Sequence, residues 1–263
     1  MATGAPDYNP PMLPESVNSL MKVSSNPNAD FGEIERLVSS EPTIAAKVLA
    51  VANSALFSRG TAIDSIRTAI SRLGLVQIRD LAYAAAINAK IFRVPKYQSY
   101  MEEQKRHAMG AGMLSAQTCK IIGLNPDMAF ICGLLHDIGK AIGVAIVADW
   151  CKNKKRPYPE IEELKGPIHE LHTSVVARVC ALWNLPQLVV QAVERHHKPM
   201  VRGELNQMAA VIAVADLGCR HAGIGREKIP VDIMQERSFF DLNMNPDQAR
   251  TLLDYSVELA SQL

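Results

Sequence analysis

All seven histidines of this 263-residue chain lie between residues 107 and 221. His136 is followed directly by Asp137 in an apolar segment, and His196 and His197 are adjacent. Imidazole and carboxylate groups together suit iron, manganese, zinc, nickel or cobalt, whereas magnesium and calcium prefer shells of oxygen ligands. These residue types therefore predict a site for one or two divalent transition-metal ions.

The ligands of such a site must come from several helices, because a single helix cannot surround an ion. Seven residues in segments with helical spacing are the candidate metal ligands: His107, His136, Asp137, His172, His196, His197 and Asp216. Apolar neighbours bury the turn at His136 and Asp137, so its polar groups need partners. A metal ion can supply them, and so can a hydrogen bond between the two residues. His169 and His221 are predicted instead to be hydrogen-bonded core residues.

The elements that must position these residues are helices, because apolar residues recur at helical spacing along most of the chain. Predicted helices cover residues 43–57, 76–92, 100–122, 128–150, 168–183, 186–197, 205–223 and 246–263, with shorter segments near 34–41, 63–73 and 160–164. Three glycines within 128–150 indicate close packing or a turn around the site. No run of alternating β-branched residues predicts a sheet. The expected fold class is all-α.

Pro95 marks the expected boundary between two helical parts. Residues 1–14, with four prolines, are predicted to be a flexible tail. Residues 15–95 are expected to form a histidine-free N-terminal lobe, and residues 96–263 the bundle that carries the metal site. The two parts are expected to pack together as one unit.

Composition argues against several classes of protein. The 28 Lys and Arg residues nearly balance the 27 Asp and Glu residues without a basic stripe, so nucleic acid is not expected as a partner. The N-terminus has no signal-peptide pattern, and no apolar stretch is expected to approach the roughly 18 residues of a membrane span. Five cysteines without a Cys-x-x-Cys pair indicate core residues in a reducing compartment. A cytoplasmic location without a membrane partner is therefore expected.

The combined pattern resembles a known superfamily. The HD superfamily of metal-dependent phosphohydrolases has a similar set of residues to the one found here: His107, the run Gly-Leu-Leu-His-Asp-Ile-Gly-Lys at 133–140, His172, His196, His197 and Asp216. Residues 41–57 and 63–74 look like the first part of the HDOD domain, a bacterial signalling relative of that superfamily. Residues 181–186 (Ala-Leu-Trp-Asn-Leu-Pro) add to the likeness, which extends from about Leu13 to beyond Asp216.

The resemblance implies an all-α fold, with an N-terminal helical lobe packed on an HD-like helical bundle. It also implies two groups of ligands. The residues that match a mononuclear site are His107, His136, Asp137 and Asp216, and those that match the additional ligands of binuclear members are His172, His196 and His197. Asp137 matches the residue that can bridge the two ions.

Asp137 and Lys140 are the candidate catalytic residues. Lys140 lies three residues after Asp137, on roughly the same helix face, and matches a lysine that can meet a phosphate. The alternative for Lys140 is a solvent-exposed side chain at a helix end. The related cyclic-dinucleotide phosphodiesterases carry a Gly-Tyr-Pro motif soon after the paired histidines. Residues 198–204 (Lys-Pro-Met-Val-Arg-Gly-Glu) lack it, which argues against hydrolysis of cyclic di-GMP.

Three functions are compatible with these features. The first is a bacterial signalling or output module of the HDOD type with a His/Asp metal site. The second is an active metal-dependent phosphohydrolase, and the third is a metal-free helical interaction protein. The first is favoured because the HDOD resemblance spans both parts of the chain. It implies an unidentified signalling protein as partner, whereas the second implies a nucleotide or other phosphoester as ligand.

Overall fold

The computed structural model describes residues 12–24, 30–54 and 62–263 of the chain. Helices dominate these residues, which confirms the all-α fold class. They form two compact units, Met12–Lys90 and Ile91–Ser261. Most of the predicted tail lies outside the described residues, whereas Leu13 is buried in the N-terminal unit.

The N-terminal unit contains five helices: α1 (Glu15–Ser24), α2 (Phe31–Ser39), α3 (Pro42–Ala52), α4 (Ile66–Leu73) and α5 (Leu75–Lys90). Helix α5 packs against α1 and α3. Leu20, Val48 and Tyr83 are fully buried in this core. Arg79 is also fully buried, and its guanidinium lies 2.7 Å from the Asp80 carboxylate. The buried guanidinium therefore has a carboxylate partner, which offsets part of the free-energy cost of removing its charge from water.

Polar side chains and a glycine mark the ends of three of these helices. The Asp30 carboxylate accepts a hydrogen bond from the Gly32 N–H at the start of α2. Gly74 ends α4 with a φ of +84°, in agreement with the sequence. Helix α3 ends at Ala52, although the sequence predicted a helix to residue 57. The Asn53 side chain exchanges hydrogen bonds with the Ile63 backbone at this end, and residues 55–61 lie outside the described part.

The C-terminal unit holds all of the histidines. After a 3₁₀ turn at Pro95–Tyr97 it contains α6 (Gln98–Ile122), α7 (Ala129–Leu135), α8 (Ile138–Lys154), α9 (Ile161–Leu182), α10 (Gln187–Arg195), α11 (Gln207–Ala222), α12 (Arg237–Asp241) and α13 (Pro246–Ala260). Helix α6 packs against α7, α11 and α13, while α9 packs against both α8 and α10. The helices that carry the candidate ligands are therefore neighbours.

A break at His136 and Asp137 divides the single helix that the sequence predicted over 128–150. Helix α7 ends at Leu135, and α8 begins at Ile138. Asp137 has φ −108° and ψ 2°, outside the helical range, and precedes the positive N-terminal end of α8. The break thus places both side chains at one corner of the fold. The glycines within 128–150 indicated either close packing or such a turn around the site.

Helix α9 is longer than the sequence predicted. The sequence predicted a short helix near 160–164 and a separate helix over 168–183, yet α9 runs from Ile161 to Leu182 and contains Pro167. Glu160 and Glu163 form a capping box at its start, which gives this helix a strong N-terminal signal. The proline removes one backbone donor from the helix but does not end it.

Two short strands also depart from the expectation of a chain without sheet. Met200–Val201 pairs antiparallel with Glu204–Leu205 in a small hairpin. Arg202 and Gly203 form its turn with positive φ values, 52° and 82°. This pair connects α10 to α11 and leaves the all-α class unchanged.

One helical stretch, Ala129–Lys154, is long and apolar enough to match a membrane span, with a mean hydropathy of 1.7. The expectation that no stretch approaches this length was therefore wrong. In the fold, 72% of its apolar window is buried within the protein. Packing against neighbouring helices accounts for this hydropathy.

Two glycines set how closely the helices approach near the break. A Cβ atom added at Gly139 would lie 2.2 Å from the backbone oxygen of His172, on α9. A Cβ atom at Gly133 would lie 2.4 Å from the backbone oxygen of Ala111, on α6. Backbone atoms cannot yield as a flexible side chain would, so glycine is required at both positions.

Replacing Gly139 by alanine tests this packing. We expect Gly139→Ala to lower the free energy of unfolding by at least about 1–3 kcal/mol, because the methyl group must displace α8 from α9. The measurement is urea denaturation followed by circular dichroism.

Gly166→Ala is the matched control, since Gly166 lies in α9 with no atom near its Cβ position. There the gain of about 0.5–1 kcal/mol from the higher helix propensity of alanine is opposed by crowding of its Cβ against Pro167, so stability should change by less than about 1 kcal/mol. Equal effects of the two substitutions would contradict the close approach of α8 to α9.

Candidate metal centre

The structure brings all seven candidate ligands together in the C-terminal unit. They come from five places in the fold: His107 on α6, His136 and Asp137 at the break between α7 and α8, His172 on α9, His196 and His197 at the end of α10, and Asp216 on α11. The ligand atoms form two groups of four, and within each group they lie within 4.8 Å of one another. Asp137 is the one residue that belongs to both groups.

The first group surrounds the Oδ2 atom of Asp137. The Nε2 atoms of His107 and His136 each lie 3.4 Å from this oxygen and 3.3 Å from each other. The Oδ1 atom of Asp216 lies 3.3 Å from the Nε2 atom of His107. Two imidazoles and two carboxylates thus face one small volume.

The second group surrounds the other oxygen of Asp137. Its Oδ1 atom lies 3.1 Å from the Nε2 atom of His172 and 3.7 Å from that of His196. The Nε2 atom of His197 lies 3.1 Å from that of His172. The two carboxylate oxygens of Asp137 therefore face two different sets of histidines.

Backbone carbonyl oxygens fix the position of the ring hydrogen in four of the five histidines that are candidate ligands. The Nδ1 atoms of His136, His172 and His196 lie 2.6, 2.5 and 2.8 Å from carbonyl oxygens of residues 133, 169 and 193. The Nδ1 atom of His107 lies 3.3 Å from the Ile224 carbonyl oxygen. A carbonyl oxygen only accepts, so each Nδ1 carries the hydrogen. In neutral rings the Nε2 atoms are then left with lone pairs directed at one another.

This arrangement fits a bound cation. The lone pairs of His107 and His136 face each other at 3.3 Å and would repel without a positive charge between them. The Oδ1 atom of Asp137 is buried and has no hydrogen-bond partner among the described residues. Donors at about 2.1 Å from one ion in tetrahedral geometry lie about 3.4 Å apart. The separations of 3.1 and 3.7 Å between the Oδ1 atom of Asp137 and the Nε2 atoms of His172 and His196 match that spacing.

The two carboxylates are held in their charged form. Burial alone would raise the pKa of Asp137, but in the metal-free protein the positive charges of a protonated His136 and of Lys140, together with hydrogen bonds from protonated His107 and His136, outweigh it. The pKa of Asp137 consequently lies well below its ordinary value. For Asp216 burial is likewise outweighed, by the charges of His107 and Arg226, so its pKa is also lowered. Both side chains are available as anionic ligands.

Two histidines of the second group are held in their neutral form. Burial, together with the charge of His136, puts the pKa of His196 well below its ordinary value. Burial and the charge of His172 lower the pKa of His197 to about 4. Neutral imidazoles and ionised carboxylates are the protonation states that metal binding requires.

Two cationic side chains contact the two carboxylates of the ligand groups. Lys140 forms an ion pair with the Oδ2 atom of Asp137. The Nη1 atom of Arg226 lies 2.8 Å from the Oδ1 atom of Asp216. The Lys140 side chain is mostly buried, which differs from the alternative of a solvent-exposed lysine.

A cavity of about 340 Å³ opens beside the first ligand group. Its walls combine two candidate ligands with charged and aromatic side chains: Tyr100, Glu103, Gln104, His107, Asp137, Lys140, Lys165, His169, Gly225, Arg226 and Glu227. Burial and the charges of Asp137 and Glu103 raise the pKa of Tyr100, so its phenol keeps its proton. A small polar ligand can therefore reach the edge of the ligand group.

The two remaining histidines have different roles. His169 was expected in the core, but it is exposed, lines the cavity and stacks on His172 with ring centroids 5.3 Å apart. Its spacing of three residues from His172 on one helix could have indicated this position. His221 stands apart from the ligand groups and accepts a hydrogen bond from the Val231 N–H, as a structural histidine does.

Comparison with protein families identifies the chain's relatives. The model of the HDOD domain matches residues 11–199. An uncharacterised protein of Treponema pallidum (strain Nichols) is 25% identical over 265 residues, which cover 92% of this chain and 48% of that protein. Ribonuclease Y of Mycoplasma mycoides is 26% identical over 118 residues, covering 45% of this chain and 22% of that protein. The chain thus spans about half or less of these relatives' length.

Solved structures share the fold. An HDOD domain protein of unknown function from Geobacter sulfurreducens has a TM-score of 0.75 at 23% identity, covering 97% of this chain and 92% of that one. A candidate metal-dependent phosphohydrolase from Shewanella amazonensis SB2B has a TM-score of 0.71 at 21% identity, with coverage of 97% and 92%. A candidate signal transduction protein from Marinobacter aquaeolei VT8 has a TM-score of 0.73 at 20% identity, with coverage of 99% and 61%. These identities show a common fold alone.

The lowered pKa of His197 predicts how the metal-free protein responds to acid. An unfolded histidine titrates near pH 6.5, so between about pH 6.5 and 4 the unfolded chain binds protons that the folded chain does not. Stability should therefore fall as the pH drops through this window. Urea midpoints of chelator-treated protein at pH 7, 6 and 5 measure the effect.

The variant His197→Asn removes one of the titrating groups and should show a shallower loss of stability over the same range. An unfolding midpoint that rises as the pH falls from 7 to 5 would contradict a neutral imidazole cluster.

Proposed function

We propose that this chain, which belongs to the HDOD family, is a signalling output module that binds two divalent transition-metal ions. The observation that carries the proposal is the position of Asp137, whose two oxygens face two separate sets of histidines. A carboxylate in this position can bridge two ions. The mixed nitrogen and oxygen donors favour iron, manganese, zinc, nickel or cobalt.

The signalling role rests on the family and on one structural relative. The chain has the fold of a Marinobacter aquaeolei protein described as a candidate for signal transduction. A signalling module acts through another protein, so we expect an unidentified protein partner that responds to the state of the metal site. Such a role does not require turnover, because metal binding by itself can stabilise one arrangement of the helices.

Metal stoichiometry tests the two-ion proposal directly. Protein purified without chelator or nickel affinity resin should carry about two equivalents of transition metal per chain. Asp137→Ala should lose nearly all of it, because both groups contain that residue. His197→Ala should keep about one equivalent, because His197 belongs only to the second group. Elemental analysis by plasma mass spectrometry measures each value.

The control is His221→Ala, which removes a histidine outside both groups and should leave the metal content unchanged. Metal-free wild-type protein, even after incubation with iron, manganese, zinc, nickel and cobalt, would contradict the proposal. The chain would then act as a metal-free helical interaction protein.

A second function, phosphoester hydrolysis, is favoured by the cavity beside the first ligand group. Three cationic side chains, Lys140, Lys165 and Arg226, and three acidic ones, Glu103, Asp137 and Glu227, line it. The cations can contact an anionic ligand there. Relatives described as a candidate metal-dependent phosphohydrolase and as ribonuclease Y support the same chemistry. A nucleotide or another small phosphoester is the substrate class that this lining suits.

The residues of this chain would divide the work of hydrolysis. Bound divalent ions supply a nucleophilic water near neutral pH and charge stabilisation for the phosphoryl group. Asp137 and the histidines would hold the ions in place. Lys140 would offset the negative charge that develops on the phosphoryl oxygens, and Tyr100, which keeps its proton, would donate a hydrogen bond at the cavity wall.

Hydrolysis is tested with p-nitrophenyl phosphate and bis-p-nitrophenyl phosphate on metal-loaded protein. We expect turnover of at least one probe, and Lys140→Met should lower kcat/KM by about 10- to 100-fold, as for a lost charged hydrogen bond. Lys154→Met is the control, because Lys154 is exposed at the far end of the same helix.

Metal-loaded protein that hydrolyses neither these probes nor a panel of nucleotides would reject the hydrolase function. It would leave the metal-binding signalling module as the function.

A further inference from the structure

Arg226 occupies a position that no sequence pattern singled out. It follows α11 in a segment that passes directly beside His107. The Ile224 carbonyl oxygen accepts the hydrogen bond from the Nδ1 atom of His107, and Ile224 is fully buried. The segment that orients one candidate ligand therefore also delivers Arg226 to the cavity.

Gly225 is what allows this close passage. Its φ is +66°, in the left-handed region, and an added Cβ atom would lie 2.2 Å from the Glu103 carbonyl oxygen and 2.5 Å from the His107 backbone nitrogen. Any larger residue would push the segment away from α6. The backbone thus fixes the direction in which the chain leaves Gly225, and with it the position of Arg226.

The guanidinium of Arg226 has more N–H donors than its contact to Asp216 uses. Its Nη1 atom contacts the Oδ1 atom of Asp216 at 2.8 Å, and no other hydrogen-bond partner of Arg226 occurs among the described residues. Its side chain is 38% exposed and lines the cavity. A guanidinium carries five N–H donors in a planar fork that matches two oxygens of a phosphate. The remaining donors can therefore bind a ligand without breaking the contact to Asp216.

The other cations of the cavity are less suited to this task. Lys165 is engaged by Glu162 at 2.6 Å on its own helix. Lys140 is mostly buried and paired with Asp137. Arg226 is thus the cation that combines partial exposure, unused donors and direct contact with a candidate metal ligand.

We infer that Arg226 binds the phosphoryl group of the ligand through its free N–H donors while its Nη1 atom keeps the contact to Asp216. This inference rests on the proposed phosphoester ligand and on the metal centre. It assigns to Arg226 recognition of a phosphate with at least two non-bridging oxygens, which a phosphomonoester or a phosphodiester presents and a fully substituted ester does not.

The test measures inorganic phosphate binding and metal content on the same metal-loaded, full-length protein. Isothermal titration calorimetry gives the phosphate affinity, and elemental analysis gives the metal content. Arg226→Gln should keep the metal and weaken phosphate binding by about 10- to 100-fold, the loss of one charged hydrogen-bonding group. Arg226→Lys, which keeps the charge but not the fork, should fall between Arg226→Gln and wild type.

Arg237→Gln is the matched control, since Arg237 is exposed on α12, does not line the cavity and should change neither value. Unchanged phosphate affinity in metal-loaded Arg226→Gln would overturn the inference. Loss of metal from Arg226→Gln would also overturn it, because Arg226 would then act only by positioning Asp216. Wild-type protein without metal would refute the proposed function, and this inference with it.

Discussion

The buried carboxylate of Asp137 is the feature on which the C-terminal unit depends. Its side chain is 5% exposed, and a buried anion is costly unless positive charge and hydrogen bonds surround it. Lys140 supplies one charge, and the nearby imidazoles of four histidines supply polar contacts. One oxygen still has no hydrogen-bond partner among the described residues. A pair of metal ions would satisfy both oxygens at once, which is why the proposed function centres on this residue.

The helices are arranged to keep that carboxylate and its histidines in place. The break between α7 and α8 turns two consecutive residues toward the same volume. Glycines at 133 and 139 let α7 and α8 approach α6 and α9 until backbone contacts backbone. Carbonyl oxygens then fix the ring orientation of the histidines, in the manner of outer-shell partners in known metal sites. Packing and ligand chemistry are therefore coupled in the same few residues.

The sequence predicted the all-α class and the set of residues that meet in the site, because residue types and helical spacing can be recognised within short segments of the chain. It failed where tertiary contacts decide. Apolar periodicity continues through His136 and Asp137, so the break was open to two interpretations. The sequence predicted that a helix begins at residue 168, after Pro167, but the capping box at Glu160 and Glu163 starts a longer helix. Arg226 lies between the predicted helices at 205–223 and 246–263, and only the close passage of Gly225 along α6 reveals its position.

Anomalous X-ray diffraction at the metal absorption edge tests most directly whether Asp137 bridges two metal ions, as we propose. Crystals of protein purified without chelator should show two anomalous peaks per chain. One peak should lie among His107, His136 and Asp216 and the other among His172, His196 and His197, with the Asp137 carboxylate between them. A single peak would contradict the bridge, and the absence of any peak after soaking with metal would contradict the site itself.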